Sequence, residues 1–233
     1  MLRAILFDFN GVLVDDEPVH LELFQKVLAE EDIELTSDDY YAHYLGFDDR
    51  GCFQAVLEAA GQPATPDRIF RLIARKSAYY QARARQQGFP TFAGAAELIR
   101  STSDGGLTLG VVSGALRDEV EGALEQLGLR DRFKTLVTAE DVEVGKPDPE
   151  GYRRGLENLN VLPPLPTRLI HPHEVLAIED SPAGLAAAAA CGMSTLGVAQ
   201  TYPAAELEAA DQVVDSIALL DLARLRTLFA EAV

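Results

Sequence analysis

Lysine is scarce. The chain has 233 residues and four lysines, Lys26, Lys76, Lys134 and Lys146. A net charge of −17 argues against a nucleic-acid backbone or an anionic membrane as partner, since both need clustered cations. Nucleic acid and membrane are therefore not expected as partners. The sequence also lacks any apolar run of about eighteen residues, so no membrane-spanning helix is expected. The apolar opening "MLRAILF" stops at Asp8 without a small-residue cleavage site, so no signal peptide is expected either. Cys52 and Cys191 are far apart and form no CxxC or metal-type pattern. Reduced thiols, each a small core residue, and a cytoplasmic location follow as expectations. Apolar residues, by contrast, make up 48% of the chain, enough for a sizeable core in one large domain or two unequal ones.

Continuous apolar runs mark strands buried on both faces: "LRAILF" (2–7), "LTLGVV" (107–112), "FKTLVTA" (133–139), "EVLAIED" (174–180), "STLGVAQ" (194–200) and "DQVVDS" (211–216). Helical patterns fall between them, at about 94–103, 116–127, 149–159, 182–191 and 217–230. Strands alternating with helices predict an α/β fold with a doubly wound parallel sheet, a Rossmann-like core. The segment 17–88 breaks this alternation and reads as helices only. "TSDD" and "TPDR" supply helix N-caps, Pro18 a helix start, and Gly46 and Gly61 helix ends. The expected organisation is a core of residues 1–16 and 89–233 with an inserted all-helical cap at 17–88, hinged near 14–18 and 88–92.

In such a sheet, ligands bind beyond the carboxyl ends of the strands. Asp8-Phe9-Asn10-Gly11 follows the first strand and Ser113-Gly114 the second. Lys146 lies in "GKPDP" after the third, and Glu179-Asp180-Ser181 follows the fourth. Acids with oxygen donors can hold Mg²⁺. Ser113, the N–H groups after it and Lys146 can bind transferring phosphoryl oxygens. Asp8 could attack phosphorus and form an aspartyl-phosphate.

"FDFNGVLVD", "VVSGA", "GKPDP" and "IEDSPAGLAAAAACGM" resemble the four ordered motifs of the haloacid dehalogenase-like superfamily. The helical insert resembles the cap of its beta-phosphoglucomutase and phosphoglycolate phosphatase branch. The resemblance covers essentially the whole chain. It implies an enzyme, a Mg²⁺-dependent phosphatase of a small phosphorylated metabolite, with a beta-phosphoglucomutase-like phosphomutase as the alternative. Asp8 would be the nucleophile. Mg²⁺ would be held by Asp8, the Asn10 backbone carbonyl and Asp180, with Glu179 closely associated. Ser113, Gly114 and Lys146 would bind phosphate. Arg50, in the "GFDDRG" loop, would face a distal anionic group, with His20 and Lys76 approaching the site from the cap. A monomer or weak dimer would suffice.

Asn10 departs from this pattern. Phosphatases of the superfamily carry a second Asp there as general acid and base. An amide cannot exchange a proton at neutral pH, and losing such a group costs about 10²–10⁴-fold in rate. Four accounts compete: a slow phosphatase, or one whose leaving groups need little protonation; a substitute acid among Asp15, Asp16, Glu17 and His20; a catalytically weak phospho-ligand binding protein; or an engineered trap. Metal-free haloacid dehalogenases do not fit the Glu179-Asp180 pair. Phosphonatases need a cap lysine, and Lys76 in "IARKSAYY" reads more simply as an exposed helical cation. His171 and His173 precede a strand and read as loop histidines, while "YYAHY" and "AYY" read as cap core and cap surface.

Overall fold

The computed structural model describes residues 1–231; Ala232 and Val233, at the end of the expected core, lie outside the described residues. The chain forms two compact units, one of Met1–Asp15 with the chain from Pro90 onward, the other of Asp16–Phe89.

The first unit opens with strand β1 (Ala4–Phe7). The second consists of helices α1 (Glu17–Ala29), α2 (Ser37–His43), α3 (Asp49–Ala59) and α4 (Pro66–Gln87). The first unit then resumes with α5 (Ala95–Asp104), β2 (Thr108–Val112), α6 (Arg117–Gln126), β3 (Phe133–Val137), α7 (Glu150–Val161), β4 (Val175–Glu179), α8 (Pro182–Ala190), β5 (Ser194–Val198), β6 (Gln212–Val214) and α9 (Leu222–Glu231). Each strand is a little shorter than its apolar run.

The six strands are parallel, in the order β3-β2-β1-β4-β5-β6. Every residue of β1 is buried, as both faces of a parallel sheet carry helices. Ala4 and Leu6 pack on one face with Val112, Tyr152 and Leu159. On that face Ala187 and Ala188 replace bulk, and alanine lets a helix come close to the sheet. Burying each leucine contributes roughly 1.5–3 kcal/mol.

One expected helix is divided. Residues 217–230 read as a single helix, but Ile217–Leu219 is a separate 3₁₀ turn before α9. Local capping explains the break: Ser216 Oγ accepts the Ala218 N–H at 3.2 Å, and Asp221 Oδ1 accepts the Arg224 N–H at 2.7 Å.

In the helical unit, Leu21, Phe24, Leu28, Tyr40, Phe53, Leu57 and Leu72 form a core. Thr36, Asp48 and Thr65 cap α2, α3 and α4 through side-chain oxygens that accept backbone N–H groups. Gly46 and Gly61 end helices at φ +79° and +65°, where a side chain would be strained.

Candidate active site

Strand order reverses at β1, which lies between β2 and β4. That reversal is the switch point at which a crevice opens beyond the strand ends. Phe7 pairs with Ile178, and the Asp8 N–H donates to the Ile178 carbonyl at 2.9 Å. Register alone therefore sets Asp8 beside Glu179 and Asp180. All three acids are buried, and one ligand oxygen from each lies within 4.8 Å of the others.

One cation answers them. Lys146 Nζ is 2.6 Å from Asp8 Oδ1 and 2.6 Å from Glu179 Oε1. Burial works against its charge, but Asp8 and Glu179 outweigh that and raise its pKa. Glu179 is pushed up to about 7, first by burial and then by the Asp8 charge. Asp180 is raised by burial, then by Asp8 and Glu179, while a hydrogen bond from Thr201 opposes the rise. Three buried carboxylates against one ammonium leave excess negative charge, and every candidate ligand is oxygen. That donor set fits a hard divalent cation such as Mg²⁺.

The loops around these groups are tied down. Gly11 has φ +73°, and a Cβ there would fall 1.8 Å from Asp180 Oδ2, so only glycine lets this turn pass the acid. The Gly11 N–H donates to the Val14 carbonyl at 2.9 Å, folding Asn10–Val14 back on itself. Ser113 is buried at the end of β2, its Oγ accepting the Ala115 N–H at 3.0 Å, and Gly114 beside it is exposed. The loop carrying Lys146 is gathered by Glu150, whose Oε2 accepts the Glu143 and Val144 N–H groups at 2.9 and 3.1 Å.

Asp8, Lys146, Glu179 and Asp180 thus come together, with Asn10 and Ser113-Gly114 on adjoining strand ends. Arg50, His20 and Lys76 belong to the helical unit. Arg50 is exposed in the first turn of α3. Lys76 is not an exposed helical cation: it is fully buried, donating to Asp49 Oδ1 at 2.5 Å and to His20 Nδ1 at 2.7 Å. The His20 ring therefore carries its proton on Nε2, 3.1 Å from Asp16 Oδ2. The Tyr80 phenol donates to the same Asp16 oxygen and stacks on His20. Tyr80 is buried, so "AYY" is not all surface. His171 and His173 lie on a short 3₁₀ turn at the start of β4, the end away from Asp180.

Tyr152, Gln200 and Thr201 lie outside the four motifs, whereas Ser181 and Gly184 belong to the fourth. The Tyr152 phenol donates to Glu179 Oε1 at 2.5 Å, and Ser181 Oγ donates to Oε2 at 3.3 Å. Gly184 lies against Glu179, where a Cβ would meet Cδ at 2.0 Å. Thr201 bonds to Asp180, and Gln200 Nε2 donates to the Gly11 carbonyl at 2.8 Å. Both follow β5, and their place at a strand end was the available signal.

Known proteins resemble this chain in sequence and fold. The profile of the Haloacid dehalogenase-like hydrolase family matches residues 5–198. Validoxylamine A 7'-phosphate phosphatase of Streptomyces hygroscopicus subsp. limoneus is 31% identical over 217 residues, 93% of this chain and 95% of that protein. A beta-phosphoglucomutase of Clostridium difficile has the same fold, with TM-score 0.84, 22% identity, and coverage of 99% of this chain and 98% of that one. CbbY of Rhodobacter sphaeroides, solved as an aspartate-to-asparagine mutant in complex with xylulose-(1,5)-bisphosphate, superposes with TM-score 0.82 at 26% identity, covering 96% of this chain and 98% of that one. With the family profile spanning both the sheet and the helical insert, the chain is an enzyme of the haloacid dehalogenase-like hydrolase family.

Proposed function

We propose that the chain is a Mg²⁺-dependent phosphatase of a small phosphorylated sugar or sugar-like metabolite, working through an aspartyl-phosphate on Asp8. The observation that carries this reading is the Lys146 ammonium held 2.6 Å from Asp8 Oδ1, beside two further buried carboxylates. Asp8, the Asn10 carbonyl and Asp180 would hold the cation, with Glu179 at its margin. When bound, Mg²⁺ offsets the repulsion between a carboxylate and an anionic phosphate.

An Asp8 oxygen attacks phosphorus, and the bond from phosphorus to the substrate oxygen breaks. Lys146, Ser113 and the N–H groups after it bind the phosphoryl oxygens as charge builds on them. Water then cleaves the aspartyl-phosphate, returning Asp8 and releasing phosphate. The helical unit is assigned the choice of substrate, with Arg50, His20 and Lys76 as its candidate residues. The names of the Streptomyces relative and of the CbbY ligand support a sugar-like substrate.

Asn10 gives a slow enzyme or one matched to leaving groups that depart without a proton. It also favours a second reading, a protein that holds its phospho-ligand with little turnover. The CbbY structure supports this reading: an aspartate-to-asparagine mutant there is in complex with a sugar bisphosphate. The test is phosphate release from sugar phosphates, phosphoglycolate and an aryl phosphate, with Mg²⁺ or EDTA, using Asp8→Asn as the blank. The phosphatase reading expects Mg²⁺-dependent release by the chain as it stands and none by the blank. A ligand-induced rise in Tm without release, with turnover appearing only in Asn10→Asp, supports the second reading.

A further inference from the structure

The turn after β5 belongs to none of the four motifs, yet it reaches two of them. The Gln200 side-chain amide spans a gap. Its Nε2 donates to the Gly11 carbonyl at 2.8 Å, and its Oε1 accepts the Ile217 N–H at 2.8 Å. The Ser216 hydroxyl lies 3.4 Å from the same oxygen. Gln200 thereby ties the loop containing Asn10 to the segment after β6. The next residue, Thr201, hydrogen-bonds to the Asp180 carboxylate. A Cβ built on Gly11 would lie 1.8 Å from Asp180 Oδ2 and 2.4 Å from Thr201 Oγ1. The Gly11 backbone, the Asp180 carboxylate and the Thr201 hydroxyl therefore meet at one point.

With a cation bound, Asp180 is a carboxylate that only accepts hydrogen bonds, so the Thr201 hydroxyl would then donate. That bond selects one orientation of the Asp180 carboxyl. The Gln200 bond fixes the height of the peptide next to the Asn10 carbonyl. The two groups lie beyond the ends of the paired strands β4 and β1, where the ladder no longer fixes them residue by residue.

We infer that Gln200 and Thr201 are positioning residues for the divalent cation: Thr201 would orient the Asp180 carboxylate and Gln200 would steady the turn that carries the Asn10 carbonyl. This rests on the metal reading proposed above. Mg²⁺ demands near-ideal octahedral geometry at about 2.0–2.1 Å, whereas Ca²⁺ accepts irregular shells at about 2.3–2.6 Å. Loosening a ligand should therefore weaken Mg²⁺ more than Ca²⁺, a signature that general destabilisation would not give. Losing an outer partner of a ligand typically costs about 10–100-fold in metal affinity.

The experiment is calorimetric titration of MgCl₂, and separately CaCl₂, into metal-free protein, for the parent chain, Thr201→Val, Thr201→Ser, Gln200→Met and Asp180→Asn. Valine keeps the shape of threonine without the hydroxyl, and serine keeps the hydroxyl. The expected result is a Mg²⁺ Kd raised about 10-fold or more in Thr201→Val and Gln200→Met, a smaller change for Ca²⁺, and recovery in Thr201→Ser. Parent-like Mg²⁺ binding in Thr201→Val, with binding lost in Asp180→Asn, overturns this inference alone. Equal loss in the valine and serine variants overturns it too, because packing and not the hydroxyl would then be responsible. A parent chain that takes up no Mg²⁺ overturns the metal reading, and this inference with it.

Discussion

Removing divalent cations and raising the pH should weaken the fold, because Glu179 then has to ionise beside Asp8 in a buried site. Its pKa rises from an ordinary 4.5 to about 7, by burial first and the Asp8 charge second. The folded chain therefore binds a proton that the unfolded chain has released across that window. Stability falls with pH wherever the native state holds the extra proton, so the loss runs from about pH 4.5 to 7. At about 1.4 kcal/mol per pKa unit the penalty is on the order of 3 kcal/mol. For a chain of this size that corresponds to roughly 6–12 °C in Tm. Asp180, raised by the same neighbours, adds in the same direction. Glu174 acts elsewhere: the Arg168 hydrogen bond depresses its carboxyl to about 2, so its contribution is lost only in strong acid. The assay is thermal unfolding in EDTA from pH 5 to 8, with Glu179→Gln alongside, then repeated with Mg²⁺. Tm in EDTA should fall through the window in the parent and less so in Glu179→Gln, and Mg²⁺ should stabilise more at pH 8 than at pH 5. A flat or rising EDTA profile, or the same slope in Glu179→Gln, refutes the reasoning.

Tyr152→Phe removes the 2.5 Å bond to Glu179, which holds that carboxyl's pKa down. The pH-sensitive window should move upward at a cost of about 1–3 kcal/mol, and a downward shift in the same unfolding series would contradict this. Gly184→Ala places a Cβ 2.0 Å from Glu179 Cδ, costing about 1–3 kcal/mol as overpacking. Relief by displacing Glu179 should also weaken Mg²⁺ binding, so parent-like Kd and Tm would show that the slot is looser than described. Lys76→Met leaves Asp49 without its 2.5 Å partner. Asp49 is partly exposed, so the loss in urea unfolding should fall at or below the lower end of the ~3–5 kcal/mol range for a broken buried pair; Lys76→Met/Asp49→Asn should recover part of it, and no recovery would argue against pairing as the cause.

What the sequence revealed and what it hid follow from the range of the forces involved. Strands buried on both faces must be apolar throughout, so "LRAILF" and "EVLAIED" mark their own positions, and the residues that end them mark the crevice. Asp8 and Asp180 stand out as charges at the end of such runs, and Lys146 as one of only four lysines, set in "GKPDP". Tyr152 was not, because a tyrosine inside a helical pattern looks like core until Glu179 is known to face its phenol. Gln200 and Thr201 are neutral and lie where "STLGVAQ" fades into a turn, so no charge drew attention to them. Lys76 is the instructive error. Its neighbours Arg75 and Ser77 are polar, as on a solvated face. Yet the buried residues of α4 are Ile69, Leu72, Lys76 and Tyr80, spaced by three or four like any apolar stripe. Helical spacing alone therefore placed Lys76 on the inner face. What spacing could not supply was the reason a charge is tolerated there. Asp49 and His20 lie 27 and 56 residues away in sequence, and only the packing of three helices brings them to its ammonium. A charge on an apolar stripe thus calls for a search for partners elsewhere in the fold, because an unpaired one would be too costly to bury.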